Sequence, residues 1–203
     1  MRLIPLFLAI PLTACTALKV VTHTTDADPQ ASPAGHYRLD PHHWSILFDV
    51  DHLGYSRFVL RFDQASADLD FDPDDPERSK VSVVIPAASI DSNSPELDGI
   101  IKGKQMLDVA NFPEIRFQSR SLHRTGKSTG EMTGDLTLHG ETRPVTLSVA
   151  FNGGGGNPLT GEDTLGFSAV GSVDRGKFGL TTWFPAVGTE LELRIEAEFT
   201  KPK

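Results

Sequence analysis

Over residues 190–199 the chain alternates without a break. Leu191, Leu193, Ile195, Ala197 and Phe199 fall on one face; Glu190, Glu192, Arg194, Glu196 and Glu198 fall on the other. A period of two marks a half-buried strand of an antiparallel sheet, with one face on the core and one in water. The same alternation groups Trp44, Ile46, Phe48 and Val50, then Phe58, Leu60 and Phe62, then Leu69 and Phe71. It returns in Val81, Val83 and Ile85, in Ile115 and Phe117, and in Met132, Leu136 and Leu138. Val145, Leu147, Val149 and Phe151 follow, then Leu165, Phe167, Ala169 and Val173. Strands of this kind cover their apolar faces by closing into a barrel or stacking as a sandwich. The pattern predicts an all-β fold: a closed or nearly closed antiparallel β-barrel of about eight strands.

The interruptions are as informative as the strands. Gly126 and Lys127 within residues 124–129, and His139-Gly140-Glu141, are hairpin signals. Residues 72–78, with Pro73 and Pro76, form an acidic, strand-breaking tip. Gly153 to Gly156 is expected to open a long flexible loop. Residues 94–110 lose the alternation; Ser94 is a candidate N-cap, Pro95 follows it, and Leu97, Ile100, Ile101 and Lys104 have helical spacing. A short helical segment is expected there, across an open end of the barrel.

The inward face mixes large side chains with Ala65, Ala67, Gly134, Ala169, Gly171 and Ala197. Small inward residues leave volume, which either holds a ligand or is filled by facing aromatics. Alternation alone leaves both readings open.

Length and charge narrow the partners. A chain of 203 residues suits one core, and a net charge of −8 without a run of Lys/Arg argues against nucleic acid and against docking through a basic patch. Cys15 is the only cysteine, and Arg2 with the apolar residues 3–12 precedes it, too short a stretch to span a bilayer. Leu12-Thr13-Ala14-Cys15 resembles the lipobox of bacterial lipoproteins, where cleavage before the cysteine frees it for acylation. Thr16 in place of Asp implies, by the same resemblance, an outer-membrane anchor facing the periplasm. The expected organisation is a signal peptide over 1–14, acylated Cys15 and a flexible tether to residue 34, and a barrel domain over 35–203.

Few residues offer chemistry. His52 continues the inward register at a strand end, a candidate for a lipid head group or for capping strand-end carbonyls. Arg175, beside Gly176 and Phe178, is a candidate for a pyrophosphate or for a turn-locking ion pair. His42 and His43 are adjacent, so on a strand they face opposite ways, and no metal-binding spacing occurs. Gly126-Lys127-Ser128 lacks the strand-to-helix context of a phosphate loop, and residues 166–171 miss the nucleophile-elbow spacing. Asp91 and Asp108 flank the helical segment as capping groups rather than an acid–base pair. No catalytic residue and no metal site are assigned.

In order and spacing, one set of motifs is recognisable. Tyr37, Asp40 and His43 lead to Phe48-Asp-Val-Asp-His52-Leu-Gly54, then Ser89-Ile-Asp91. Leu107-Asp-Val-Ala-Asn-Phe112-Pro113-Glu-Ile-Arg-Phe117-Gln-Ser119 follows, then Gly134-Asp-Leu-Thr-Leu-His139-Gly140, Arg143-Pro144-Val145, Val173-Asp-Arg175 and Phe178-Gly179. Over residues 36–199 the chain resembles the YceI family, polyisoprenoid-binding, lipocalin-like proteins of bacterial envelopes. The resemblance implies a barrel with a deep apolar pore, and a non-enzymatic carrier of an isoprenoid lipid or quinone. No other cofactor is implied, and a homodimer is compatible. The implied pore wall comprises Trp44, Ile46, Phe48, Phe58, Phe62, Met106, Phe117, Phe167 and Phe178, with His52 and Arg175 as head-group candidates. Trp44 stands where the family usually has Ser and Leu60 where it commonly has Gly; both add bulk and imply a shorter tube. The alternative is a stress-associated envelope protein with a filled barrel and protein partners; an enzyme acting on lipid, with His52 as base, is a weaker third.

Overall fold

The computed structural model describes residues 20–202. Cys15 and the expected signal peptide lie outside them. Among the described residues ten strands form one antiparallel sheet. The first five are β1 (Gly35–His52), β2 (Ser56–Phe62), β3 (Ser66–Phe71), β4 (Lys80–Pro86) and β5 (Ile90–Asp91). The others are β6 (Glu114–Arg124), β7 (Thr129–Leu138), β8 (Glu141–Gly156), β9 (Asp163–Asp174) and β10 (Val187–Thr200).

Eight of them close the ring in the order β1-β3-β4-β6-β7-β8-β9-β10, sealed where β10 pairs with β1 from Thr200 opposite Arg38 to Val187 opposite His52. Closure leaves no long edge to aggregate. On its other side β1 pairs with β3 near its start and with β2 near its end, so β2 and β3 act as one strand broken at residues 63–65. Register irregularities between Leu39 and Trp44, Ser119 and Ser121, and Phe151 and Gly153 supply local bends that let a sheet curl shut.

One end, the helical end, is covered by α1 (Pro95–Lys102), which Gly103 follows. The Ser94 hydroxyl accepts from the Leu97 N–H, and the Asp98 carboxylate accepts from the Ser92 N–H at 2.7 Å and its hydroxyl at 2.5 Å. These hydrogen bonds hold Asp98 below the usual carboxylate range, the Ser92 hydroxyl contributing most. The helix is shorter than the expected 94–110. Gly103, extended at φ −72° and ψ 168°, stops it, and residues 104–112 continue as turns tied by Leu107 N–H to the Ile101 carbonyl and Phe112 N–H to the Asp108 carbonyl. Ile101 is buried against the barrel, while Ile100 faces water.

The β7–β8 hairpin turns through His139 and Gly140 at φ +52° and +77°, the two left-handed residues of a type I′ turn. A Cβ on Gly140 would also approach the Phe112 ring to 2.6 Å, so glycine lets the helical-end cover pack against the turn.

Two expectations are corrected at the opposite, N-terminal end. Gly153 to Gly156 is not a flexible loop: these residues extend β8 and pair with β9 from Gly166 to Asp163. Residues 26–34 are not a free tether: Asp26 bridges to Gly154 by paired N–H···O bonds of 3.1 and 2.9 Å, and Pro29 and Ser32 are buried. The two corrections share one cause. A Cβ on Gly153 would come within 2.7 Å of Thr25, and one on Gly154 would overlap the Ser32 hydroxyl. Glycine there makes room for the incoming chain, which pairs with β8 beyond the reach of β7.

Candidate functional site

The inward faces enclose a cavity of about 770 Å³ running along the barrel. Ile46 and Phe48 of β1, Phe62 of β2, Phe117 of β6 and Leu191, Leu193 and Ile195 of β10 line it. Alternation puts these residues inside, yet they are only partly buried, because one side of each looks into the cavity rather than onto a neighbour. Almost all of the lining is hydrocarbon. Part of the potential space is taken: the Phe117 ring covers Gly134, and Leu147 covers Gly171.

The ends differ chemically. At the N-terminal end, Tyr37, Phe71, Phe151, Phe167 and Phe199 form an aromatic cluster with Leu165. Phe71 stacks on Phe151 at 6.1 Å between centroids, and Phe167 meets Phe151 at 5.3 Å and Phe199 at 5.9 Å. Beside that cluster the lining continues along β4, β6 and β7 to Lys80, Arg124 and Lys127–Gly130. At the helical end it reaches His52, Trp183 and Ala186, and exposed Leu53, Tyr55 and Phe184 surround the rim.

The structure brings Trp44, Ile46, Phe48, Phe58, Phe62, Met106, Phe117 and Phe167 together around one cavity, and Leu60 with them. Phe178 is a correction. It ends the 3-10 turn Arg175–Phe178, is 2% exposed, and packs in the surrounding core without lining the cavity.

Arg175 is a second correction. It is buried, and its guanidinium donates to the carbonyls of Gly188 at 2.8 Å, Leu180 at 2.5 Å and Val187 at 2.9 Å. Burial pulls it below the usual guanidinium range, with the Asp174 charge acting the other way. Its planar fork locks the β9–β10 connection and is spent there. His52 stands exposed at the helical-end rim, paired with Ser56 across the β1–β2 hairpin.

Lys80, Arg124 and Lys127 are lining residues that sequence reasoning missed. Lys127 Nζ lies 3.0 Å from Asp28 Oδ2, an ion pair between the hairpin tip and the N-terminal segment. Lys127, then the Gln30 N–H, hold the Asp28 carboxyl below its usual range. The Arg124 guanidinium donates to the Lys127 carbonyl at 3.2 Å and has no carboxylate within ion-pair distance among the described residues. The available signal was local: two cations flanking a glycine turn at the end of amphipathic strands.

A closed antiparallel barrel around an apolar, elongated cavity defines a lipocalin-like class of proteins. Residues 37–199 match the model of the YceI-like domain, and the chain belongs to that family. It is 38% identical over 173 residues to a UPF0312 protein of Pseudomonas putida (strain W619), covering 84% of this chain and 88% of that one. A UPF0312 protein of Pseudomonas syringae pv. syringae (strain B728a) is 37% identical over 161 residues, 79% of this chain and 83% of the other. Among solved structures, Burkholderia cenocepacia BcnA superposes with a TM-score of 0.72 at 22% identity, over 79% of this chain and 98% of its own. A polyisoprenoid binding domain from Saccharophagus degradans gives 0.65 at 10% identity, over 84% of this chain and all of its own.

Proposed function

We propose that this protein is a non-enzymatic carrier of a long apolar lipid, a polyisoprenoid or isoprenoid quinone, held at the bacterial envelope through acylated Cys15. The observation that carries the reading is the cavity of about 770 Å³ with its hydrocarbon wall, within the size range of small-molecule sites. An isoprenoid tail has no hydrogen-bonding groups, so such a wall meets all it requires. Each buried methylene contributes roughly 0.8 kcal/mol, offset by the tail's lost freedom and lost membrane contacts. Family membership and the fold shared with a polyisoprenoid binding domain support the same reading.

An anchor at Cys15 would hold the N-terminal end nearest the membrane, because residues 26–34 are fixed against β8 there. The test is mass spectrometry of a lipid extract from the protein purified from a host that makes polyprenyl lipids. The expected result is a prenyl chain near one equivalent. Protein that carries no lipid, and also refuses added quinone and prenyl phosphate, would overturn the carrier reading in favour of an interaction protein.

A further inference from the structure

The helical end displays large apolar side chains that folding leaves in water. Leu53 and Tyr55, in the β1–β2 turn, are 54% and 87% exposed; Trp183 and Phe184, in the β9–β10 connection, are 42% and 62% exposed. Leu53 and Trp183 hold φ at +55° and +66°, a left-handed backbone that costs any residue with a Cβ. Both loops are nevertheless fixed. The Leu53 N–H donates to the Ala186 carbonyl at 2.8 Å and ties one loop to the other. The Val187 N–H donates to the Trp183 carbonyl at 2.9 Å, and the Thr182 hydroxyl donates to the Gln105 carbonyl at 2.5 Å. Arg175 clamps the carbonyls of Leu180, Val187 and Gly188 in the same connection.

Two observations say what covers this rim. The first is its charge. Residues 178–189 carry no charged side chain, and residues 52–56 carry only His52, in a chain of which 23% is charged. Asp51, just before the turn, accepts the Gly54 N–H at 3.2 Å, and Lys104 adjoins Gln105. A protein partner is ordinarily met by an apolar centre ringed with polar groups. An uncharged rim of Leu, Tyr, Trp and Phe suits instead the interfacial layer of a bilayer, where amphipathic rings settle at head-group level. The second is continuity: His52, Trp183 and Ala186 line the cavity, so its wall passes directly into the rim.

We propose that the helical-end rim is a membrane-docking face, with Leu53, Tyr55, Trp183 and Phe184 entering the interfacial layer of a phospholipid bilayer. This goes beyond the carrier reading, which concerns what the cavity holds and not what the outside of the barrel touches. β1 runs from Gly35 at the N-terminal end to His52 at the rim. An anchor at Cys15 would act on the end opposite the rim, so the tethered chain offers its docking face to a second lipid surface.

The experiment uses the full chain and vesicles of phosphatidylcholine whose acyl chains are brominated near the carbonyls. Trp44→Phe/Trp183→Phe/Tyr55→Trp leaves one tryptophan, on the rim and outside the cavity lining. Its emission is expected to be quenched by brominated vesicles and not by unbrominated ones. Contact quenching does not reach across the barrel, so attachment through the N-terminus gives no signal. Adding Leu53→Asp/Phe184→Asp is expected to abolish the quenching. In the otherwise unaltered chain the same pair is expected to slow prenyl transfer between vesicles about tenfold, with equilibrium loading and thermal midpoint unchanged. Leu53→Asp alone gives the same sign should the pair unfold, because aspartate tolerates the left-handed backbone.

Absence of quenching in a chain that binds prenyl lipid overturns the docking face and leaves the carrier reading standing. Quenching that survives the aspartate pair overturns it too, since the contact then lies elsewhere. A concentration-dependent dimer that the pair abolishes, without quenching, assigns the rim to a second copy of the chain and overturns it as well. Quenching lost in the pair, in a chain that binds no prenyl lipid, removes the carrier reading and upholds the docking face.

Discussion

Phe117 of β6 lies over Gly134 of β7, so that a Cβ on Gly134 would overlap its ring and approach the Gln118 carbonyl to 2.7 Å. The aromatic covers the bare backbone of its neighbour and presents its other side to the cavity. Gly134→Ala must therefore push the ring inward. It is expected to cost about 1–3 kcal/mol through overpacking. The measurement is the shift of the thermal midpoint, downward by a few degrees per kcal/mol for a domain of this size, with less prenyl lipid retained.

Arg175 joins three carbonyls from residues 180, 187 and 188. Lysine cannot span them with one ammonium group, and the carbonyls would be left buried without donors. Arg175→Lys is expected to destabilise the fold by about 3 kcal/mol. Chemical denaturation checks it: the midpoint falls while the slope is unchanged. A stability loss within experimental error would show that the connection does not depend on the guanidinium.

Cavity shape should set ligand length. Leu193, part-buried on the wall, is a position where added bulk has no outlet except the cavity. Leu193→Trp is expected to weaken lipid binding about tenfold. Trp44 lines the same cavity opposite Ala197, and Trp44→Ser is expected to shift the bound prenyl chains to greater length. Mass spectrometry of the extracted lipid reads both.

Tyr37 is fully buried and its hydroxyl donates to the Pro33 carbonyl at 2.7 Å. Burial, with a lesser contribution from Asp163, pushes the phenol from 10.0 up to about 12. The folded chain thus favours the protonated phenol. Its contribution to stability is complete below pH 10 and is lost as the pH rises from there through about 12, up to roughly 3 kcal/mol in all. Stability measured across that window should fall in the parent chain, and the fall should be shallower in Tyr37→Phe.

Alternation made the barrel and most of its wall legible. In a strand each side chain's face follows from its parity, so Ile46, Phe48, Leu193 and Ile195 could be assigned inward before any pairing was known. The turns were legible for a similarly local reason: His139-Gly140 carries its own left-handed geometry. Ser94 and Pro95 likewise announced the start of α1, although Gly103 ended the helix sooner than the spacing of apolar residues implied.

What the sequence could not fix are meetings between distant segments. The glycines 153–156 read as a loop because nothing local revealed that residues 24–32 would lie against them. Arg175 read as a ligand for an anion because its three acceptors are carbonyls, which every residue possesses and which only folding can aim. Phe178 read as wall because a 3-10 turn, not a strand, carries it. The meeting of Lys80 with β6 was hidden for the same reason: Lys80 lies forty residues before Arg120, whose carbonyl it reaches only because β4 and β6 pair across the intervening helical segment. Parity along a strand is a property of the local chain, whereas the grouping of charges at one end of a barrel is a property of its closure.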